Sequence, residues 1–252
     1  TIMLLIVVGG IGFIVWRDLL TYKANKRLLL HTRLVVRTTL IVLVISFSLF
    51  WISELRHGTF SHLGMFDQIT NTMFMAVTPR TAGYSNVDYN LVSIGGVFLT
   101  YSLMFIGGSS GSTAGGIKIT TFAVLVLFLK ACFKGEEPNY YKRSISKERI
   151  KKAILVLLIG LGMLFIATTA LLITQTLPEQ YGLDAVLMEI FSCFGTVGLS
   201  MGLTEHLDWF GKFVLMTLMF VGRVGALTFL LSFGNHDKES SIHYPEGSIL
   251  IG

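Results

Sequence analysis

The chain has 252 residues, a mean hydropathy of +0.69, 52% hydrophobic residues and only 14% charged residues. Soluble domains average about 25% charged residues, so this composition excludes an ordinary soluble domain and indicates a protein that folds in lipid. The net charge of +5 would suit a nucleic-acid ligand, but Lys and Arg cluster between apolar segments. Membrane topology explains that clustering, and we expect no nucleic-acid partner.

Five long apolar stretches divide the sequence: roughly 1–16, 38–53, 91–133 with an interruption, 153–175 and 209–233. A helix needs about 20 apolar residues to cross a bilayer, so the sequence predicts a multi-pass, all-α membrane protein. Basic residues are concentrated in 17–37 and 130–152, and the positive-inside rule makes both segments cytoplasmic.

Two further apolar segments, 64–77 and 182–194, are helix-like but too short to span. Each is followed by a Thr-x-Gly sequence and then by a return helix. These loop residues are Thr81, Ala82, Gly83 and Tyr84 in the first case and Thr196, Val197, Gly198 and Leu199 in the second. The sequence therefore predicts the order helix, short helix, glycine loop, helix, written twice.

A second similarity supports internal repetition. The segment 115–122 (GGIKITTF) resembles 222–229 (GRVGALTF) and also 9–15 (GGIGFIV). On this alignment the first complete repeat holds eight extra residues, which fit best inside 107–116 (GGSSGSTAGG).

The Thr-x-Gly loops have the chemistry of an ion filter. Backbone carbonyls replace the water shell of a dehydrated cation when extended chain surrounds an axis, and glycine permits the unusual backbone angles. The negative end of each preceding short helix also favours a cation. The alternative, that Gly83 and Gly198 are ordinary turn glycines, loses weight because both copies lie between a short apolar helix and a spanning one. The expected site is K⁺ at these carbonyls.

The small-residue segment 107–116 interrupts a 43-residue apolar span. It lacks the GxxxxGK[ST] pattern of a phosphate loop. Its flanks, 91–106 and 117–133, are too short for a linker between two full spans, so we expect a non-helical break within the membrane that acts as a gate. The gate residues are Gly107, Gly108, Ser109, Ser110, Gly111, Ser112, Thr113, Ala114, Gly115 and Gly116, with Arg223 as a pore-facing charge beside them. Packing or snorkelling is the alternative for Arg223.

The sequence gives little support for catalysis. All six His residues fall in connecting or terminal segments, and none forms a metal-type pair or an evident nucleophile–base set. We therefore expect no enzyme activity and no cofactor bound by this chain.

These motifs together resemble the Trk/Ktr/HKT superfamily of potassium transporters. The resemblance rests on TPRTAGYSNVDY (78–89), GGSSGSTAGGIKITTF (107–122), FGTVGLSMGLT (194–204), the Arg in GRVGALTF and the tail YPEGSILIG (244–252). The likeness is strongest to the KtrB branch, the membrane subunit of bacterial Ktr uptake systems. It implies potassium-channel-like architecture that is pseudo-fourfold when complete, with the missing repeats supplied by an N-terminal half.

The resemblance also implies biological context. It implies a multi-pass protein of the bacterial plasma membrane, a homodimer, and a cytosolic octameric ring of KtrA-like RCK subunits that bind nucleotide and regulate the pore. The implied transported ion is K⁺, with Na⁺ as an alternative because both loops lack the longer Thr-Val-Gly-Tyr-Gly filter. A sodium-coupled or poorly selective K⁺/Na⁺ secondary transporter with broken helices is the competing hypothesis.

The resulting division of the chain has six parts. They are the last helix of a preceding repeat (1–16), a cytoplasmic loop (17–37), a third pore repeat (38–133) containing the gate segment (107–116), a second cytoplasmic loop (134–152), a fourth pore repeat (153–233) and a C-terminal tail (234–252).

Overall fold

The structure, a computed structural model, describes residues 1–225, so the end of the predicted fourth repeat and the tail 234–252 lie outside the described residues. The helices are α1 (Ile2–Ile11), α2 (Phe13–Leu20), α3 (Tyr22–Asn25), α4 (Leu30–His57), α5 (Met65–Val77), α6 (Ile94–Phe105), α7 (Ile119–Lys134), α8 (Lys147–Thr174), α9 (Leu183–Gly195) and α10 (Trp209–Val224). An antiparallel hairpin, β1 (Asn139–Tyr140) and β2 (Arg143–Ser144), joins α7 to α8. Short 3₁₀ turns cover Tyr89–Leu91 and Leu203–His206.

Helices α4 and α8 are the two long apolar helices of the described chain. Each has 28 residues, which corresponds to about 42 Å and exceeds the roughly 30 Å hydrocarbon core. Their outer faces expose large apolar side chains, including Val44 on α4 and Phe165 on α8. In residues 1–225, these two helices have the length and hydropathy to span, or three spans exist if α1 and α2 count as one bent span. This confirms the predicted all-α membrane protein.

Two repeats follow each other along the chain. Repeat A consists of α4, α5, α6 and α7, and repeat B consists of α8, α9 and α10. The predicted short helices are both present, as α5 and α9 with 13 residues each. The return helix of repeat A stops at Phe105 and resumes at Ile119, whereas α10 runs without interruption to Val224.

Three boundaries differ from the sequence prediction. The range 17–37, expected as a loop, includes the end of α2 and the start of α4 at Leu30. The range 134–152, also expected as a loop, contains the hairpin and the start of α8 at Lys147. Long basic side chains can reach the interface from the end of a spanning helix, so a basic stretch does not have to be a loop.

The third difference concerns the predicted helix over 1–16. It is broken into α1 and α2, which meet at an angle of 93° at Gly12. Gly12 has φ of +91°, a backbone conformation that favours glycine. The break therefore coincides with the one residue type that adopts it readily.

The short helix α9 lies at the centre of the packed core. It contacts α6, α8 and α10, and its Phe194, Ile190 and Met188 are fully buried. The ring of Phe191 stacks on Tyr101 of α6 at 5.5 Å, and the Tyr101 hydroxyl donates to the Asp184 carbonyl oxygen at 2.6 Å. This packing holds α9 in place, and the second glycine loop leaves from the C-terminal end of this helix.

Candidate functional site

Both Thr-x-Gly loops adopt the same unusual backbone conformation. Thr81 and Thr196 have φ of +61° and +50°, and Gly83 and Gly198, two residues later, have φ of +69° and +94°. Positive φ is a genuine outlier for a β-branched residue such as Thr. Ala82 and Val197 keep negative φ. In an extended strand successive carbonyls alternate sides, whereas this alternation of backbone conformation lets them turn toward one side.

The two loops also meet each other. A Cβ atom built on Gly83 would lie 3.3 Å from the Gly198 Cα atom and would collide with the Val197 carbonyl oxygen. A Cβ atom built on Gly198 would lie 3.8 Å from the Gly83 Cα atom. The structure therefore brings the two loops, 115 positions apart in the numbering, against one another through their glycines.

Side chains of the preceding segments hold each loop. In repeat A, the Thr78 hydroxyl donates to the Tyr84 carbonyl oxygen, and the Asn86 amide donates to the Asn71 side-chain oxygen at 2.6 Å. In repeat B, the Gly198 N–H donates to the Ser192 hydroxyl oxygen at 3.0 Å.

In repeat B, a buried carboxyl group also holds the chain that follows the second loop. Glu189 lies on α9 and is 3% exposed. It accepts from the hydroxyl groups of Thr204, at 2.7 Å, and Ser200. Both donors belong to the chain that leaves the second loop, so Glu189 ties that chain to the short helix.

The segment 107–116 packs directly against the second loop. A Cβ atom built on Gly115 would lie 2.9 Å from the Gly195 carbonyl oxygen and would also contact the Thr196 side chain. Backbone bonds from Gly107 N to the Ile117 carbonyl oxygen, 2.8 Å, and from Ile117 N to the Phe105 carbonyl oxygen, 3.0 Å, close the base of the segment. The segment is thus a non-helical loop between α6 and α7, and backbone hydrogen bonds join its two ends.

Two cations bind carbonyl oxygens of this segment. The Arg223 guanidinium, at the end of α10, donates to the Thr113 carbonyl oxygen. The Lys118 ammonium donates to the Ala114 carbonyl oxygen. The sequence singled out Arg223 but not Lys118, although Lys118 lies only two residues beyond the segment and its position next to a carbonyl-rich turn was a usable signal.

Backbone groups at the break between α1 and α2 form hydrogen bonds with the segment 107–116. The Ser109 N–H donates to the Gly10 carbonyl oxygen at 2.9 Å, and the Phe13 N–H donates to the Gly111 carbonyl oxygen at 3.1 Å. Each interrupted helix therefore supplies donors and acceptors to the other. This contact could not be derived from the sequence, because nothing local in 1–16 indicates which partner satisfies the exposed backbone.

An open cleft connects these parts. It has a volume of about 430 Å³ and is lined by α1, by Arg80, Thr81, Ala82 and Tyr84 of the first loop, and by Thr113. Arg80 is 4% exposed, which is unusual for arginine and was not expected from the sequence. The cleft is thus bounded by the first loop and by Thr113 of the segment 107–116.

Comparison with known proteins decides the family. A family model described as TrkH, cation transport protein, matches residues 1–244. The chain belongs to this family. The resemblance to Trk/Ktr transporters in the sequence motifs is thereby confirmed, and the protein is a membrane protein of the cell membrane.

Curated relatives of this TrkH-family chain are substantially longer. It is 43% identical over 252 residues to the potassium/sodium uptake protein NtpJ of Enterococcus hirae, and 40% identical over 253 residues to the Ktr system potassium uptake protein B of Bacillus subtilis. These matches cover 98% and 100% of this chain but 56% of each relative. The chain therefore spans little more than half the length of these relatives.

A solved structure shows the same fold. The crystal structure of the potassium transporter TrkH from Vibrio parahaemolyticus superposes with a TM-score of 0.73 at 18% sequence identity. The match covers 92% of this chain and 51% of that chain. The helix–short helix–helix arrangement is thus the fold of the family.

Proposed function

We propose that this TrkH-family chain supplies two of the filter loops of a channel-like potassium uptake pathway. The observation that carries the proposal is the shared conformation of the two loops, with Thr and Gly at positive φ in both and the two glycines in contact. The two threonines are the strained residues, since glycine adopts positive φ freely. Strained residues cluster at functional sites, because packing must hold each of them against a cost of about 1–3 kcal/mol.

The chemistry of the loops suits a dehydrated monovalent cation. The carbonyl oxygens of Thr81–Tyr84 and Thr196–Leu199 provide neutral oxygen ligands, and α5 and α9 direct their negative ends toward the loops. Two loops form half of a ring, and we propose that the length by which the relatives exceed this chain holds the other two. K⁺ is the proposed cargo.

Sodium coupling, or weak discrimination against sodium, is the second candidate. The relative from Enterococcus hirae is named a potassium/sodium uptake protein, which favours testing this directly. In voltage-clamped proteoliposomes containing the full-length protein, a potassium-selective channel-like pathway reverses at the K⁺ equilibrium potential and ignores a Na⁺ gradient. A fixed Na⁺:K⁺ ratio with saturating turnover would favour the transporter instead.

We further propose that the segment 107–116 is the gate. Five of its ten residues are glycine, which gives it conformational freedom, and its closed form is held through Thr113 and Ala114 by Arg223 and Lys118. Two positive charges beside the ion path also oppose cation entry. The gate opens when these carbonyls are released.

The test of the gate is basal K⁺ flux in proteoliposomes that contain the full-length protein without a regulator. Arg223→Ala should raise that flux several-fold, and shortening 107–116 should do the same. Lys212→Ala removes a cation from the exposed face of the same helix, and should leave flux unchanged. A folded, selective Arg223→Ala protein that leaks no more than the parent would contradict the gate.

Regulation by a cytosolic nucleotide-binding ring, and assembly as a homodimer, complete the proposal. A relative is named as a component of a Ktr system, and the basic stretch 130–152 offers a surface for an acidic partner. Pull-down with a purified RCK-type ring should weaken when Lys142 and Arg143 are changed to Glu. Equal capture of the parent and the variant would exclude this surface.

A further inference from the structure

A long groove runs along the outside of repeat A, away from the two loops. Its volume is about 650 Å³, and it lies between α4, α6 and α7. Its lining is mostly aliphatic, with Ile41 and Ile45 from α4, Leu103 from α6 and Val126 from α7. Ile41 is 48% exposed and Val126 is 46% exposed, so the groove opens outward rather than into the core.

One end of the groove is basic. Arg37 of α4 and Lys130 of α7 line it, together with Tyr140 of the hairpin. Both cations are exposed, and within residues 1–225 neither has a carboxylate partner. This end therefore offers two unpaired positive charges beside an apolar channel.

The basic end is a built structure rather than a loose surface. The Tyr140 hydroxyl donates to the Arg33 carbonyl oxygen at 3.4 Å, and the Arg33 guanidinium lies 5.3 Å from the centre of the Tyr141 ring. The rings of Tyr140 and Tyr141 pack edge to face at 4.8 Å. These contacts fold the hairpin against the start of α4, so the mouth of the groove has fixed walls.

The dimensions match one leaflet of a bilayer. From Arg37 to Leu49, the groove follows α4 over 12 residue-to-residue steps, or about 18 Å. Half of a roughly 30 Å hydrocarbon core is about 15 Å. Basic and aromatic residues at one end with an aliphatic channel beyond them are complementary to an anionic headgroup with an acyl chain.

We propose that this groove binds an anionic phospholipid. Arg37 and Lys130 bind the phosphate of the headgroup, Tyr140 lies at the level of the interface, and one acyl chain fills the channel between α4, α6 and α7. Both cations belong to the face that the positive-inside rule makes cytoplasmic, where anionic lipids attract basic side chains near the membrane surface. The proposal does not depend on the ion that the protein carries.

The experiment is native mass spectrometry of the full-length protein in detergent, titrated with phosphatidylglycerol or with phosphatidylcholine of the same chains. Phosphatidylglycerol should bind more tightly than phosphatidylcholine. Arg37→Gln with Lys130→Gln should weaken phosphatidylglycerol binding roughly 30-fold, since each basic side chain near the surface contributes a factor of about five. Phosphatidylcholine binding should barely change.

Two controls separate this site from general surface charge. Lys23→Gln with Arg27→Gln removes the same number of exposed charges away from the groove, and should leave binding within about twofold of the parent. Val126→Trp fills the apolar channel but keeps both cations, and should reduce binding of both lipids.

Three results would overturn the proposal. They are equal affinity for the two lipids, equal loss in the two charge variants, and a Val126→Cys protein that crosslinks to a second copy or to another part of the same protein. The last result would show that protein, not lipid, covers the groove.

Discussion

Repeats A and B each connect the end of their first helix, α4 or α8, to the start of the helix after the glycine loop, α6 or α10. The carboxyl group of this connection lies on opposite partners in the two repeats. In repeat A, Ser93 caps α6 by accepting from the Gly96 N–H at 2.9 Å, and the Ser93 hydroxyl donates to Glu54 at the end of α4 at 2.5 Å. In repeat B, Asp208 caps α10 by accepting from the Gly211 N–H at 2.7 Å.

The partner of that second cap is an amide. The Gln175 side chain, directly after α8, donates to Asp208 Oδ1 at 2.6 Å and accepts from the Asp208 N–H at 3.0 Å. The same number of positions separates Ser93 from Asp208 as separates Gly83 from Gly198. The two repeats therefore keep the hydrogen-bonded connection between the two helices. In repeat A the carboxyl group belongs to the first helix, and in repeat B it belongs to the cap of the second helix.

The two carboxyl groups, Glu54 and Asp208, differ in how exposed they are to solvent. Glu54 is 1% exposed and its oxygens accept from Ser93 and Thr59, so its carboxyl group finds hydroxyl donors inside the protein. Asp208 lies at the surface. In repeat A the carboxyl group is buried at the end of α4, and in repeat B it is solvated at the start of α10.

The glycine loops also differ, in the space around their glycines, and this gives the largest predicted effect. Gly83→Ser should abolish K⁺ uptake, with a loss of more than tenfold, because the new Cβ lies 3.3 Å from Gly198 Cα and meets the Val197 carbonyl oxygen. In Gly198→Ser the new Cβ has room, with 3.8 Å to Gly83 Cα, and the variant gains only the strain of a non-glycine residue at positive φ.

We therefore expect Gly198→Ser to keep measurable uptake with weaker preference for K⁺ over Na⁺. The measurement is uptake of each ion by cells that lack other potassium uptake systems and express the full-length protein, with protein amount checked by immunoblot. Equal loss in both variants would show that the two loops are equivalent. Unchanged selectivity in folded Gly198→Ser would argue against a filter.

The second-largest predicted effect is a loss of stability when the connection between the two helices is removed. Glu54→Ala removes the buried carboxyl group that accepts from the Ser93 and Thr59 hydroxyls, and should destabilise the protein by about 3 kcal/mol. Gln175→Ala removes exposed hydrogen bonds, and should cost clearly less.

The measurement is the Tm of the detergent-solubilised full-length protein. Glu54→Gln keeps an acceptor and the shape of the side chain, so its Tm should lie between those of the parent and Glu54→Ala. A larger loss in Gln175→Ala than in Glu54→Ala would reverse the assignment of the buried charge.

Sequence reasoning located the features that depend on local chain properties. The short helices α5 and α9 follow from apolar segments that end in glycine loops, and the interruption after Phe105 follows from a run of small residues. The contact of Arg223 with the segment 107–116 was also expected, since a charge inside an apolar helix needs a polar partner.

The features that sequence reasoning missed depend on contacts across the fold. The bend at Gly12 is fixed by backbone bonds to residues about a hundred positions later, and nothing near Gly12 names that partner. The Glu54–Ser93 pair joins residues 39 positions apart in sequence, and Arg80 is buried beside a cleft that α1 shares with the first loop. Periodicity and composition carry no such information.

The smallest predicted effect is a dependence of the Tm on pH, which comes from Asp208 at the start of α10. The Gly211 N–H, and then the Gln175 amide, hold the pKa of the Asp208 carboxyl below its usual range. Because the folded-state pKa is lowered, the stability from this group is complete above the unfolded pKa of about 3.9, and is lost as pH falls through the folded value. Between about pH 5 and 3, the Tm of the parent should fall more steeply than that of Asp208→Asn, whose side-chain oxygen still caps α10 but does not titrate.

The effect is small because Asp208 is solvated and salt screens it, so it should shrink further at high ionic strength. Ser93→Ala in repeat A serves as the control, because it removes a cap that does not titrate, and it should lower the Tm without removing the Asp208-dependent difference in slope. Parallel pH profiles for the parent and Asp208→Asn would mean that the charge on the repeat B cap contributes nothing to the connection between the two helices.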